Sequence, residues 1–458
     1  MSRPTIALTA ALTSLLCACA TPAVPPVVYA PAPVDPARYP SVAAALQLND
    51  RPGHAWTDAD LLDQTLPRSA ALANAQAAYR AAVATSAVAR AAAPITLGLQ
   101  TEYANDAATS SAWLFGVSAD IPLDRSERRA ARLAAADLAG LGVRYDYGDT
   151  LWTLRSTIRR AHIERIASER QATLANALVA ARQGLAQRVN RRVAAGEDAR
   201  AAAITAQADV VRAKARLSSA QAAIDQANAE LAGALGVAPS VAAALKLADI
   251  TADPTQIDAK GLNDFRRSAA LTRTEIARGL AAYDQAEAAL RVEIAKQQPE
   301  IIVSPGYTWE RGLTKLPFNI SLVLPRDGNR PAIALAEAQR AQAGTVIEAA
   351  QAAILASVDQ AAAADRSGAT ALAAALQDIA AAERLVTLTR RSLAAGEIDA
   401  LESEAAQAAV IEAQLSAIDA WRAAWLASVG LEDALRRPAD ATETAVLAQA
   451  MGRLKEPR

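Results

Sequence analysis

Few side chains in this sequence could perform acid–base, nucleophilic or metal chemistry. The cysteines are Cys17 and Cys19, so the rest of the chain can hold neither a disulfide framework nor a cysteine metal site. The histidines are His54 and His162, which leaves little material for proton transfer at neutral pH. We expect His162 to be a surface or helix-seam residue, because no second histidine, cysteine or close carboxylate pair accompanies it. The sequence therefore predicts no enzymatic activity, no cofactor and no bound metal.

The two cysteines lie at the end of a segment typical of a secretion signal. Arg3 is followed by the apolar run 6–16, which is too short to cross a membrane as a permanent helix. We assign residues 1–18 to a signal peptide. Residues 19–57 begin with a proline-rich stretch that is expected to be extended and semi-rigid, so we interpret them as a tether.

The residues around the predicted cleavage point suggest a lipid anchor. Residues 16–19 read Leu-Cys-Ala-Cys, which resembles the lipobox of bacterial lipoproteins, with Cys19 as the lipidated residue. The residue that follows is Ala20 and not aspartate, and in such lipoproteins this implies sorting to the outer membrane. The alternative is an ordinary signal peptide with incidental cysteines.

Composition favours long, closely packed helices. Hydrophobic residues make up 52% of the chain but aromatic residues only 4%, because alanine dominates the apolar share. Alanine is the best helix former and fills a core poorly. The net charge of -1 lacks the basic excess that a nucleic-acid partner would require, so we expect no nucleic-acid binding.

The chain contains an internal repeat of about 200 residues. Four short matches occur in the same order: 68–72 with 267–271, 122–125 with 325–328, 194–197 with 394–397, and 235–236 with 429–430. Single matches in alanine-rich sequence could arise by chance, but four in order at similar offsets indicate duplication. We place the first repeat at 58–250, the second at 251–437 and a C-terminal tail at 438–458.

Each repeat has the same predicted order of elements. Helices are expected at 58–93 and 258–297, long helices at 126–193 and 329–393, and return helices at 198–235 and 398–430. Pro94 and Pro299 end the first helix of each repeat. A helix spanning 126–193 would reach roughly 100 Å at 1.5 Å per residue, which is far more than a globular domain needs.

Between those helices, two hairpins are predicted at about 94–123 and 299–325. In the first, Trp113, Phe115 and Val117 alternate with smaller or polar residues, and this period of two predicts strands with one apolar face. Pro305 and Pro317 weaken the pattern of the second hairpin.

Strand length and number together predict an oligomeric barrel. Each alternating segment has about ten residues, which is the length of a transmembrane β-strand. Four strands cannot close a barrel, and an open sheet edge is not tolerated in lipid. Three chains would supply twelve strands, which lies within the known range of barrel sizes.

This order of elements resembles the TolC-like outer-membrane efflux factors over about residues 58–435. The resemblance implies a mainly helical fold with a small β part, in which a homotrimer forms a 12-stranded β-barrel continued by a 12-helix α-barrel. It also implies an outer-membrane channel that docks to a periplasmic adaptor and, through it, to an inner-membrane pump. The Pro-Leu-Asp-Arg stretch at 122–125 is similar to the metal-cation efflux branch of the family.

Two turns match the periplasmic tips of the family. Each turn contains Ala-Gly-Glu shortly after a pair of arginines. A helical hairpin needs a left-handed residue at its turn, so glycine alone would fit any such hairpin. The arginines either bond neighbouring helices and hold the tip shut or simply cap helix ends. The predicted tip and adaptor-contact residues are Arg191, Arg192, Gly196, Glu197, Arg390, Arg391, Gly396 and Glu397.

An acidic ring is predicted near the second turn. Glu402 lies six residues after Gly396, where relatives often carry a pore-lining acid, and three copies would favour cations. Asp399 and Glu404 are nearby competitors for this role, and a solvated surface charge is the simpler interpretation.

Two other functions remain open. A periplasmic adaptor lipoprotein would also have a tether and a helical hairpin, although adaptors usually carry one hairpin and not two full repeats. A structural coiled-coil envelope lipoprotein would have no use for the aromatic alternating segments.

Overall fold

A computed structural model of the chain describes residues 54–91, 93–103, 112–123, 126–250, 259–310, 313–323 and 327–454. The predicted signal peptide, the lipidation site Cys19 and nearly all of the tether lie outside these residues. Within them the fold is mainly helical with one small sheet, which confirms the predicted fold class at that level.

The first repeat supplies five helices and two strands to the described part of the chain. They are α1 (Asp58–Thr65), α2 (Ala70–Arg90), β1 (Thr96–Tyr103), β2 (Trp113–Leu123), α3 (Ser126–Ala194), α4 (Arg200–Leu235) and α5 (Pro239–Ala244). The single helix expected at 58–93 is wrong, because the chain leaves the helix near Pro67 and restarts at Ser69. The Ser69 side chain caps the new helix by accepting a hydrogen bond from the Leu72 amide at 3.3 Å.

The second repeat has the same order with a broken fourth strand. Its elements are α6 (Ala259–Thr272), α7 (Thr274–Ala295), β3 (Glu300–Glu310), β4 (Leu313–Lys315), β5 (Phe318–Val323), α8 (Arg330–Ala394), α9 (Ala400–Leu435) and α10 (Ala441–Gly452). The helix expected at 258–297 is also two helices, since Arg273 adopts an extended conformation with ψ of 147°. The long helices α3 and α8 contain 69 and 65 residues.

The strands form one antiparallel sheet in the order β1-β2-β3, with β4 and β5 both paired to β3. Pro317 separates β4 from β5 and lies opposite Gly306. The Gly306 amide donates to the Pro317 carbonyl at 2.8 Å, but proline has no N–H to return the bond. The expected weakening of this hairpin therefore takes the form of a local break in the ladder.

The register of the sheet collects the apolar residues on one face. Residues directly opposite each other on neighbouring strands point to the same face. That face carries Leu97, Leu99, Thr101, Tyr103, Trp113, Phe115, Val117, Ala119, Ile121, Ile301, Val303, Pro305, Tyr307, Trp309, Phe318, Ile320 and Leu322. The opposite face is mostly glycine, serine, threonine and acidic or amide residues.

Small residues let the long helices lie close together. In α8 a side chain at Gly368 would place its Cβ 2.9 Å from the Ala424 Cα of α9, a distance that real Cβ atoms essentially never show. Farther towards the turns, α3, α4 and α9 share a core that includes Leu178, Ala213 and Leu415. The alanine-rich composition thus produces thin, tightly spaced helical layers.

Candidate functional site

The two hairpin turns have nearly identical backbone geometry. Gly196 has φ of 78° and Gly396 has φ of 74°, a left-handed conformation that favours glycine. The Glu197 amide donates to the Arg192 carbonyl at 2.9 Å, and the Glu397 amide donates to the Ser392 carbonyl at 2.9 Å. Each long helix thus ends in the same hydrogen-bonded turn.

These matching hydrogen bonds show that the two arginine pairs are one position out of register. Arg192 occupies the position that Ser392 holds in the second turn, and Arg191 matches Arg391. One residue rotates a side chain by about 100° around a helix with 3.6 residues per turn. The similar pairs in the sequence therefore present different faces at the two tips.

Arg192 is the arginine that joins the two hairpins. Its guanidinium contacts the Asp399 carboxylate at the start of α9. Its Nε also lies 2.9 Å from Asp198 Oδ2 and 3.8 Å from Glu197 Oε2. One side chain from the first repeat thus links the end of α3 to the beginning of the second return helix.

Asp399 has two roles in this contact. Its carboxylate caps α9 by accepting a hydrogen bond from the Glu402 amide at 2.9 Å. That bond, together with Arg192, lowers the pKa of Asp399 below its ordinary value. In the first repeat the cap position is Ala199, which has no capping side chain. An acid at the cap position is therefore peculiar to the second repeat, as Arg192 is to the first.

The other predicted tip residues stay apart from this bridge. The side chains of Arg191, Arg390, Arg391, Glu397 and Glu402 are exposed, and no ion pair joins them to another described residue of the chain. The structure places Glu402 one turn into α9, next to the Asp399 cap. Its role as a pore residue stays a prediction.

A row of ion pairs that was not predicted from the sequence continues the bridge along α3 and α9. Arg188 pairs with Glu404 at 2.5 Å, and Arg182 pairs with Glu412 at 2.7 Å. The pairing of Arg188 with Glu404 could have been predicted from their distances to the two turn glycines. Arg188 lies eight residues before Gly196, and Glu404 lies eight residues after Gly396. The two residues are therefore at the same distance from the turns when α3 and α9 pack antiparallel.

A second group of charges lies buried at the other end of the same seam, close to the end of α9. Arg155 contacts Glu432 of α9 and lies 2.6 Å from Glu443 of α10, while Arg159 lies 2.9 Å from Glu443. Burial raises the pKa of Glu443 above its ordinary value, although both arginines oppose this effect. Arg155 and Glu443 are only 2% and 1% exposed.

His162 belongs to this buried region. Of the two positions expected for this residue, the structure gives the helix seam and not the surface, because the residue is 2% exposed. The Asp58 carboxylate, 104 residues away in sequence, contacts its ring at 2.6 Å. The sequence offered no local signal for that partner.

Two further findings concern membranes and metals. None of the described helices is both long enough and apolar enough to cross a membrane. Within the same residues, no group of three or more histidine, cysteine or acidic side chains is arranged to hold a metal ion.

Comparison with known proteins identifies the fold. Residues 61–237 match the family described as outer membrane efflux protein. No curated protein sequence matches the chain. This match covers less than half of the chain, and it agrees with the predicted resemblance to outer-membrane efflux factors.

Solved structures extend the likeness to most of the chain. The outer membrane protein VceC of Vibrio cholerae matches with a TM-score of 0.67 at 17% identity, over 86% of this chain and 97% of that one. The open MtrE outer membrane channel of Neisseria gonorrhoeae matches with a TM-score of 0.65 at 17% identity, over 83% and 89%. The CmeC outer membrane channel of Campylobacter jejuni matches with a TM-score of 0.67 at 11% identity, over 86% and 89%. At these identities the likeness concerns the fold.

Proposed function

We propose that the protein is the outer-membrane channel of a tripartite efflux or export system, a passive conduit for cargo delivered by an inner-membrane pump. The observation that carries this proposal is the apolar face of the sheet. Leu97, Leu99, Phe318 and Ile320 are 60 to 76% exposed in a single chain. A soluble sheet would bury such a face, whereas a membrane barrel turns it towards lipid.

Closure of the barrel requires other copies of the chain. Within the described residues β1 and the β4–β5 strand are the sheet edges, and lipid does not tolerate open edges. If β4 and β5 are counted as one broken strand, each chain contributes four strands. A homotrimer would therefore form a 12-stranded barrel, with α2, α3, α7 and α8 continuing it as a ring of twelve helices.

Three finer parts of the proposal concern the ends of the molecule. Lipidation of Cys19 would hold the protein at the outer-membrane lipid, and the hairpin tips would contact a periplasmic adaptor. Arg390, Arg391 and Glu397 are the tip residues that project from the second turn. Glu402 would line the narrowest point of the channel, whereas the Asp399 carboxylate already forms an ion pair with Arg192. The cargo class, including metal cations, is proposed only by resemblance.

Neighbouring residues on opposite faces of β1 provide a matched test of membrane insertion. Leu99→Arg would place a charge on the lipid face, where it costs about 2–4 kcal/mol near the bilayer centre. Gln100→Arg would place the same charge on the polar face. We expect only Leu99→Arg to remove the heat-sensitive trimer from the outer-membrane fraction. Equal recovery of both variants as trimers would contradict a lipid-facing sheet.

Planar-bilayer recording tests the channel itself. The purified trimer should conduct, and Glu402→Lys should lower its preference for cations several-fold if three copies surround the narrowest point. Glu348→Lys is a control on an exposed position of α8 and should leave ion selectivity unchanged. A pure trimer without current would support a structural envelope protein. A soluble monomer that binds a pump would support the adaptor alternative.

A further inference from the structure

His162 is held between two hydrogen-bond acceptors. Its Nδ1 lies 2.6 Å from the Asp58 carboxylate of α1. Its Nε2 lies 2.9 Å from the main-chain carbonyl oxygen of Ala248. A carbonyl oxygen can only accept a hydrogen bond, and so can an ionised carboxylate. Both contacts are satisfied together only if both ring nitrogens carry a hydrogen.

The state of Asp58 agrees with this arrangement. Burial alone would raise the pKa of Asp58, but the hydrogen bond and charge of His162, with help from Arg159 and Arg155, bring that pKa below its ordinary value. Its second oxygen lies 3.8 Å from Arg159 Nη1. Part of this lowering comes from the charge of His162 itself, so the independent support for an ionised Asp58 is the neighbouring Arg159. As a carboxylate, Asp58 accepts a hydrogen bond and does not supply the hydrogen that a neutral ring would need.

The charge balance of the surrounding cluster points the same way. His162 contacts Asp58, and Arg159 connects Asp58 to a buried group of ion pairs. The connected group contains three acids and two arginines: Asp58, Glu432, Glu443, Arg155 and Arg159. With all three acids ionised and His162 neutral, these groups would leave one unbalanced negative charge in the interior, which is costly. A positively charged His162 makes the cluster neutral. The flanking pair of Arg160 and Asp433, 2.8 Å apart, is already balanced.

The two acceptors belong to segments that also meet through the main chain. The Trp56 amide donates to the Lys246 carbonyl at 2.9 Å, and the Ala248 amide donates to the Trp56 carbonyl at 2.8 Å. Trp56 is 5% exposed. Residues 54–66 contain the last residues of the predicted tether and the helix that follows it, and His162 contacts both this segment and its main-chain partner.

We propose that His162 is a buried imidazolium that clasps residues 54–66 and the segment 246–248 to the first long helix. The clasp attaches the end of the predicted tether to the helical body at a defined place. The proposal does not rest on the channel function, because every contact in it lies within one chain.

Nitrogen NMR of the whole purified protein tests the protonation of the ring. The chain has only two histidines, so His54→Asn leaves His162 as the single imidazole signal of a ¹⁵N-histidine sample. We expect both ring nitrogens to carry hydrogen at neutral pH. In Asp58→Asn the amide can donate to Nδ1, so the ring should become neutral with hydrogen on Nε2 only. A bare ring nitrogen in the His54→Asn protein would overturn the proposal.

Hydrogen exchange tests the clasp. We expect His162→Gln and Asp58→Asn to accelerate amide exchange in residues 54–66 by at least about tenfold, while exchange in the middle of α8 stays unchanged. Asp63→Asn is the matched control on the same helix, because the Asp63 side chain pairs with no described residue, whereas Asp60 belongs to the N-terminal cap of the helix. Unchanged exchange in residues 54–66 of both clasp variants would contradict the proposal. If a variant fails to fold, the NMR result on His54→Asn still decides the ring state.

Discussion

Two sets of arginine–carboxylate contacts join the same helices, α3 and α9, in different environments. At the tip, Arg192 and Asp399 are 34% and 50% exposed. At the other end of the seam, Arg155 and Glu432 are 2% and 8% exposed. The chemistry is the same, but water screens one pair and is excluded from the other. The buried set therefore fixes the packing of helices, whereas the exposed set can break and reform at little cost.

The largest expected effect separates these two environments directly. Glu443→Gln would leave Arg155 and Arg159 short of a buried anion and destabilise the protein by about 3–5 kcal/mol. Glu404→Gln removes a similar contact with Arg188, which is 42% exposed, and should cost below about 1 kcal/mol. Urea unfolding of both variants measures the difference. Equal shifts of the midpoint would show that burial does not distinguish the two sets.

The dependence of stability on acid pH tests the effect of burial on a second carboxylate, Glu275. Burial would raise the pKa of Glu275, but the hydrogen bond from Arg273 lowers it from 4.5 to about 2. Because the folded value lies below the unfolded one, Glu275 stabilises the fold above pH 4.5. This stabilisation, at most about 3 kcal/mol, is lost as the pH falls from 4.5 towards 2.

Unfolding midpoints measured at pH 6 and pH 3 check this expectation. Glu275→Gln should lose less stability than the parent protein between these values. Asp399→Asn at the exposed tip should change the acid sensitivity much less, since its carboxylate is half exposed to solvent. Identical pH profiles for the parent and Glu275→Gln would refute the assigned role of this carboxylate.

A substitution at the tip is expected to have the smallest effect on stability and the clearest effect on channel conductance. Arg192→Ala should change the stability very little, since the contact is exposed and screened by water. If the bridge helps to hold the tip shut, the same variant should raise the conductance of the trimer in planar bilayers. Arg391→Ala is the matched control, because no described residue pairs with Arg391. Equal conductance of both variants would contradict the idea that Arg192 helps to hold the tip shut.

Much of the fold could be predicted because prolines and glycines mark its boundaries locally. The long helix expected at 126–193 runs from Ser126 to Ala194, and the glycine expected to be left-handed at each turn is so. The alternation of apolar residues also predicted strands with one apolar face. The break near Pro67 was underestimated, because Ser69 offers a cap that competes with a continuous helix.

The partners of individual charged side chains could not be predicted in this way. Arg192 and Arg391 look equivalent in the sequence, but a shift of one position turns them to different faces. The partner of Arg192 is Asp399, 207 residues away, and the partner of His162 is Asp58, 104 residues away. Such contacts depend on how whole helices are placed beside each other, which local patterns do not specify.

By itself the sequence determined the duplicated order of elements, the helix ends and the apolar face of each strand, since these follow from the conformational limits of proline and glycine and from side-chain periodicity. Only the tertiary structure decided which charges are buried and which remain in water. Burial depends on the packing of segments far apart in the chain, and it determines whether an ion pair holds the fold or stays exchangeable.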